Sequence, residues 1–145
     1  MEFNKRWTEE EVKEDLFNIL WSIYHFERHL VLTYKLNYQE IYLLKLLKRS
    51  SPKKMSEVSA ELRIEAFSAS RLVARMVVKN LLQRYKAGED KRNVFISLTP
   101  EGEALVKKIE KKDYEILSGN SKDVKESSMA AFFEAAKHIQ KIMRV

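Results

Sequence analysis

Apolar residues recur with helical spacing along the start of the chain. Val12, Leu16, Ile19, Leu20, Ile23, Phe26 and Leu30 form one stripe several turns long. Thr8 and Glu11 stand ahead of it as a capping-box pair, and Trp7 is placed to staple onto Val12. The device repeats with Asn37 and Glu40, with Leu36 against Ile41, before a stripe of Ile41, Leu44 and Leu47 broadened by Leu43 and Leu46. Ser50-Ser51-Pro52 ends that helix, and Lys53-Lys54-Met55 predicts a link one β-bridge long. Ser56 predicts the cap of a short helix reaching Leu62. A tight connection, Arg63-Ile64-Glu65, leads to a helix over residues 66–79 with Ala69, Leu72, Val73, Met76 and Val77 on one side. Two helices this short and close, with small Ala60 and Ala69 where they could cross, read as a helix-turn-helix. Asn80 suits the left-handed position that closes a helix. Residues 81–86 and 94–98 predict strands around a polar tip at 87–93, and so a hairpin. Thr99-Pro100 opens a further helix carrying Leu105, Ile109, Ile116 and Leu117, which stops near Gly119. Ser121 predicts the cap of a last helix with Val124, Met129, Phe132, Phe133, Ala136, Ile139, Ile142 and Met143 on its apolar side.

The predicted order is helix, helix, helix-turn-helix, hairpin, helix, helix: a mainly α (α+β) fold. The apolar faces of the end helices exceed what the small central module can cover, which predicts a homodimer built from those ends. A length of 145 residues suits one domain. Within it, about 36–99 would form a lobe and about 8–31 and 100–143 the helices that join two copies.

Composition narrows the chemistry. No apolar run approaches the ~18 residues of a membrane span, and the charged start lacks a signal-peptide core, so a cytoplasmic protein is expected. The absence of cysteine excludes disulfides, thiolate metal sites and thiol redox sensing. Three glycines leave no Gly-rich phosphate loop. No motif unites a serine, a histidine and an acid, so neither an enzyme nor a cofactor is expected. The formal net charge is +6. Residues 45–95 hold thirteen Lys and Arg against five acids, a net of +8 that leaves −2 for the flanks. A polyanionic partner for the middle third is the implication. A basic hairpin directly after a helix-turn-helix is a wing.

Five stretches carry a family resemblance: residues 36–44 (LNYQEIYLL), 68–73 (SASRLV), 80–84 (NLLQR), 90–92 (DKR) and 96–102 (ISLTPEG). Together they resemble the MarR family of winged helix-turn-helix regulators, by motif over about residues 30–110 and by helix order over the whole chain. Asn80 stands where that family usually has glycine, and Phe67 where small polar residues are commoner. The resemblance implies a triangular homodimer with intertwined terminal helices, each chain presenting a recognition helix and a wing to double-stranded DNA. It also implies a transcriptional repressor on an inverted-repeat operator, modulated in many members by a small ligand.

On a recognition helix the exposed candidates are Ser68, Ser70, Arg71 and Arg75, arginine being able to reach guanine O6 and N7 with two parallel hydrogen bonds. Arg75 is alternatively a partner for Glu61 or Glu65. The family motif implies that Arg92 reaches into the minor groove, where narrow A·T stretches concentrate negative potential. Asp90 would hold an arginine in place by a charge-assisted hydrogen bond. Lys53, Lys54, Lys86 and Lys91 are candidates for phosphate contact. Two other readings stay open. His25 and His29, at i and i+4 with Glu27 nearby, could serve a metal-responsive regulator, although two histidines at this spacing more often belong to an ordinary helix flank. A winged-helix protein-interaction module would make the basic face incidental. Trp21, Tyr24, Tyr34 and Tyr38 could line a pocket for a small aromatic or anionic effector, or belong to the core.

Overall fold

Helix α1 (Glu9–Tyr34) begins with the predicted capping box. The Thr8 hydroxyl accepts from the Glu11 amide at 3.2 Å, and the Thr8 amide donates to the Glu11 carboxylate at 2.8 Å. This pair holds the Glu11 carboxyl below the ordinary carboxylate range, because both donors on Thr8 favour its charged form. Three glutamates in the first turn also complement the helix dipole. The computed structural model describes residues 6–89 and 92–145, and the chain divides into two compact units between Val106 and Lys107.

In the first unit α1 gives way at Lys35, left-handed at φ 55°, to α2 (Tyr38–Arg49), whose first turn is capped by Asn37 accepting from the Glu40 amide at 2.9 Å. Strand β1 (Lys53–Lys54) follows, then α3 (Met55–Leu62), α4 (Ala66–Val78), β2 (Leu82–Lys86), β3 (Val94–Leu98) and the start of α5 (Pro100–Asn120). The sheet is antiparallel in the order β1-β3-β2, with Lys53 opposite Ile96, Leu82 opposite Leu98 and Lys86 opposite Val94. Leu43, Leu44 and Leu47 of α2, Val58 of α3, Leu72, Val73 and Met76 of α4, Leu82 and Ile96 of the sheet, and Val106 are fully buried. Burial of each large side chain contributes about 1.5–3 kcal/mol.

Two local expectations fail here. Ser56 is not the cap of α3; Lys54 holds that position, and its amide donates to the Glu57 carboxylate at 3.3 Å. The strand pairing of Lys53 and Lys54 brings the chain into the helix two residues earlier than the serine suggests. Ala60 does not lie at the α3–α4 crossing, because it is exposed while Val58 and Ala69 are buried.

The second unit holds the rest of α5, a 3-10 turn (Ser121–Asp123), α6 (Glu126–Ala136) and α7 (Ile139–Ile142). Ser121 does not cap the last helix either; its hydroxyl donates to the Ser118 carbonyl at 2.8 Å. Val124 is extended, at φ −116° and ψ 138°, a region that suits a β-branched residue, so the helix starts after Lys125. It breaks again around Lys137 and His138.

Apolar surface is left open in each unit. On α1, Leu16, Ile19, Leu20 and Ile23 are about half exposed, and Phe17, Trp21 and Tyr24 stack along the helix at centroid distances of 5.9 and 5.3 Å. On α6, Phe132 and Phe133 are exposed and meet edge to face at 5.4 Å.

Candidate nucleic-acid interface

The turn between α3 and α4 is held by short-range bonds. Arg63 is left-handed at φ 51°, the Ile64 amide donates to the Ser59 carbonyl at 3.1 Å, and the Ser59 hydroxyl donates to the Ile64 carbonyl at 2.7 Å. Helix α4 is thereby aimed so that Ala69, Leu72, Val73 and Met76 enter the core while Phe67, Ser68, Ser70 and Arg71 face solvent. The Arg71 guanidinium lies 5.6 Å from the centre of the Phe67 ring, one helical turn away.

Arg75 has a different environment. Its Nε is 3.5 Å from the Glu40 carboxylate, which also accepts from Lys79 Nζ at 2.8 Å. Glu40 is 3% exposed, so α2 receives one cation of α4 and one of its C-cap on a single buried acid. The pairing with Glu61 or Glu65 is not formed. Glu40 is the residue that sequence reasoning missed, since its place three residues after Asn37 marks it for a cap. Its carboxylate accepts from the Asn37 side-chain amide at 3.4 Å and also reaches partners 35 and 39 residues away.

Lys53 is corrected from a phosphate candidate to a structural one. It is 4% exposed, and its ammonium lies 3.0 Å from Glu61. Its strand position pairs it with Ile96 at the centre of the sheet, which turns the side chain inward. Lys54, next in the strand, is exposed, as are Lys86 at the outer end of β2 and Arg92 at the foot of the tip. Asp90 and Lys91 lie outside the described residues.

The root of the hairpin is tied to the end of α4. Asn80 adopts the expected left-handed conformation, φ 58°. The Thr99 amide donates to the Leu81 carbonyl at 3.1 Å, the Thr99 hydroxyl donates to the Asn80 carbonyl at 2.6 Å, and the Gly102 amide donates to the Thr99 hydroxyl at 3.0 Å. A side chain at 102 would overlap the Leu81 carbonyl oxygen. The spacing Leu98-Thr99-Pro100-Glu101-Gly102 therefore records a close backbone approach that only glycine permits.

An open cavity of about 560 Å³ lies among α1, α2 and the α3–α4 turn, lined by Glu27, Tyr38, Tyr42, Leu46, Arg63 and Ile64 among others. Of the aromatic effector candidates it includes Tyr38; Trp21 and Tyr24 stack on α1 instead. The His25 ring sits edge-on to Trp21 at 4.5 Å, His29 is exposed, and Glu27 accepts from the Tyr42 hydroxyl at 2.9 Å. Among the described residues no group of three or more His, Cys, Asp or Glu is placed to hold a metal ion. No helix among them is long and apolar enough to cross a membrane.

A helix-turn-helix with a solvent-facing second helix, followed by an anchored antiparallel hairpin, defines a winged helix protein. Residues 36–102 match the model of the winged helix DNA-binding domain family. The chain has the fold of MarR-family proteins: it superposes on a MarR family protein from Bacillus stearothermophilus with a TM-score of 0.83 at 20% identity, covering 99% of each chain. Streptococcus pneumoniae FabT, solved in complex with DNA, gives a TM-score of 0.79 at 15% identity, covering 94% of this chain and 97% of FabT. The HTH-type transcriptional regulator MgrA of Staphylococcus aureus is 30% identical over 88 residues, 61% of this chain; the chain thus spans 60% of that relative's length.

Proposed function

We propose that the chain is a sequence-specific, double-stranded DNA-binding transcriptional regulator of MarR type, working as a homodimer in the cytoplasm. The observation that carries this reading is the division of α4 into a buried apolar face and an exposed face bearing Ser68, Ser70 and Arg71. A helix so presented has no internal use for its N-terminal polar side chains, and the major groove is the surface that accepts a helix in this pose. Arg71 reads a guanine edge, while Arg75, tied to Glu40, contributes a fixed positive charge beside it. Lys54 and Lys86 contact phosphate, and Arg92 reaches the minor groove. Regions about 8–31 and 100–143 pair two copies, their half-exposed apolar side chains becoming the dimer core, and about 36–99 grips each half of an inverted repeat. Occupation of the operator represses transcription, and a small aromatic or anionic effector entering the cavity beside Tyr38 and Arg63 shifts the affinity. FabT solved on DNA supports the polyanion as the partner of this fold.

The test is an electrophoretic shift against a pool of random duplexes, followed by salt titration on the selected sequence. Retention that weakens steeply with salt, by about 0.9 in log–log slope for each phosphate neutralised, is expected. A slope reduced by about that amount for Arg92→Ala supports the wing contact. Retention of no duplex at low salt overturns the reading.

A further inference from the structure

We propose that Phe67 and Arg71 act as one reading unit for a thymine standing next to a guanine, with the Phe67 ring against the thymine 5-methyl group. This rests on the DNA-binding reading above and extends it to a residue and a base step.

Phe67 is the second residue of α4 and is 70% exposed, although a phenyl ring gains by leaving water. The fold had apolar space one turn further on, where Leu72 and Val73 are buried, so the exposure of Phe67 follows from its direction on the helix. Its side chain points out on the same face as Ser68 and Arg71, at the end of the helix whose side chains meet base edges. The base edges exposed in the major groove offer hydrogen-bond donors and acceptors and one apolar group, the thymine methyl. An exposed phenyl ring at this place therefore has one complementary target on duplex DNA.

Arg71 fixes the second half of the unit. Among the described residues it makes no ion pair; its guanidinium rests instead near the Phe67 ring at 5.6 Å. That cation–π contact confines a flexible side chain next to the ring without using its hydrogen-bond donors. The donors stay available for guanine O6 and N7. Successive bases on one strand are about 3.4 Å apart along the axis, so two groups separated by 5.6 Å address neighbouring steps rather than distant ones.

The experiment begins with selection of duplexes from a random pool by the full-length protein. Each thymine of the selected site is then replaced in turn by deoxyuridine, which removes the 5-methyl group and nothing else. Titrations compare wild type, Phe67→Ala and Phe67→Leu, with circular dichroism as the check on folding. For wild type, one thymine adjacent to a guanine should show a loss of about threefold to fivefold on demethylation, the worth of one buried methyl group. Phe67→Ala should bind the two duplexes equally, and Phe67→Leu should keep part of the difference. Arg71→Ala should lose discrimination at the neighbouring guanine while retaining the methyl effect. Tight wild-type binding that is indifferent to the methyl at every thymine overturns this inference and leaves the DNA-binding reading intact. The inference also falls if Phe67→Ala stays as methyl-sensitive as wild type. Failure to select any duplex at low salt removes both.

Discussion

The winged lobe and the terminal helices treat their apolar residues in opposite ways. In the lobe, Leu44, Leu47, Leu72, Val73 and Met76 are sealed within one chain, and apart from side chains such as Phe67 and Val78 the surface displayed to solvent is mostly polar and charged. On α1 and α6 the surplus is apolar: Leu20 is nearly half exposed, and Trp21, Phe132 and Phe133 are half exposed or more. The lobe is complete as a single copy, whereas a face such as that of α1 is of the kind a second copy covers. Charge on one region and bare hydrocarbon on another mark two different surfaces of use.

The strongest way to break that comparison is a pair of leucines. Leu72→Ala should cost about 2–5 kcal/mol, read as a lowered thermal midpoint, because a sealed site leaves a cavity. Leu20→Glu should leave the lobe folded by circular dichroism and shift the sedimenting species to monomer. A monomer in wild type, or a Leu20→Glu protein that still sediments as a dimer, would deny α1 its role. Adjacent lysines sharpen the comparison next. Lys54→Ala should reduce the salt slope of DNA binding by about 0.9 with little change in stability. Lys53→Ala should leave the slope unchanged and lower stability by about 1–2 kcal/mol, through loss of the inward side chain and its bond to Glu61. The smallest effect concerns the start of α1. The lowered pKa of Glu11 gives the capping box a contribution that is complete above the unfolded carboxylate value and is lost as pH falls through the folded one. Helix content at the N-terminus of α1 should therefore fray on acidification, and Glu11→Gln should fray less steeply with pH.

What could be read from the chain was local. The Thr8 and Asn37 caps, the left-handed Asn80 and the Thr99-Pro100 start each depend on residues within a turn of one another, and each stands where the pattern places it. The inward turn of Lys53 and the ion pairs of Glu40 escape a local pattern because their partners are remote. Whether a lysine faces water depends on Ile96 opposite it in the strand and on Glu61 eight residues on. The acid that holds Arg75 comes from a different helix. Left-handed Lys35 and Arg63 carried no glycine or asparagine to announce them. For the candidate site the residue types of the α4 face were legible; which of its cations were already engaged was not.

The knot at Thr99 and Gly102 has a consequence for measurement along a double helix. Because the tail of α4, the hairpin root and the first turn of α5 are cinched at one point, the reach of the hairpin beyond α4 is set inside a single chain. In the proposed homodimer the stride between two copies is fixed elsewhere, so the fine ruler and the coarse ruler of that assembly are separate parts.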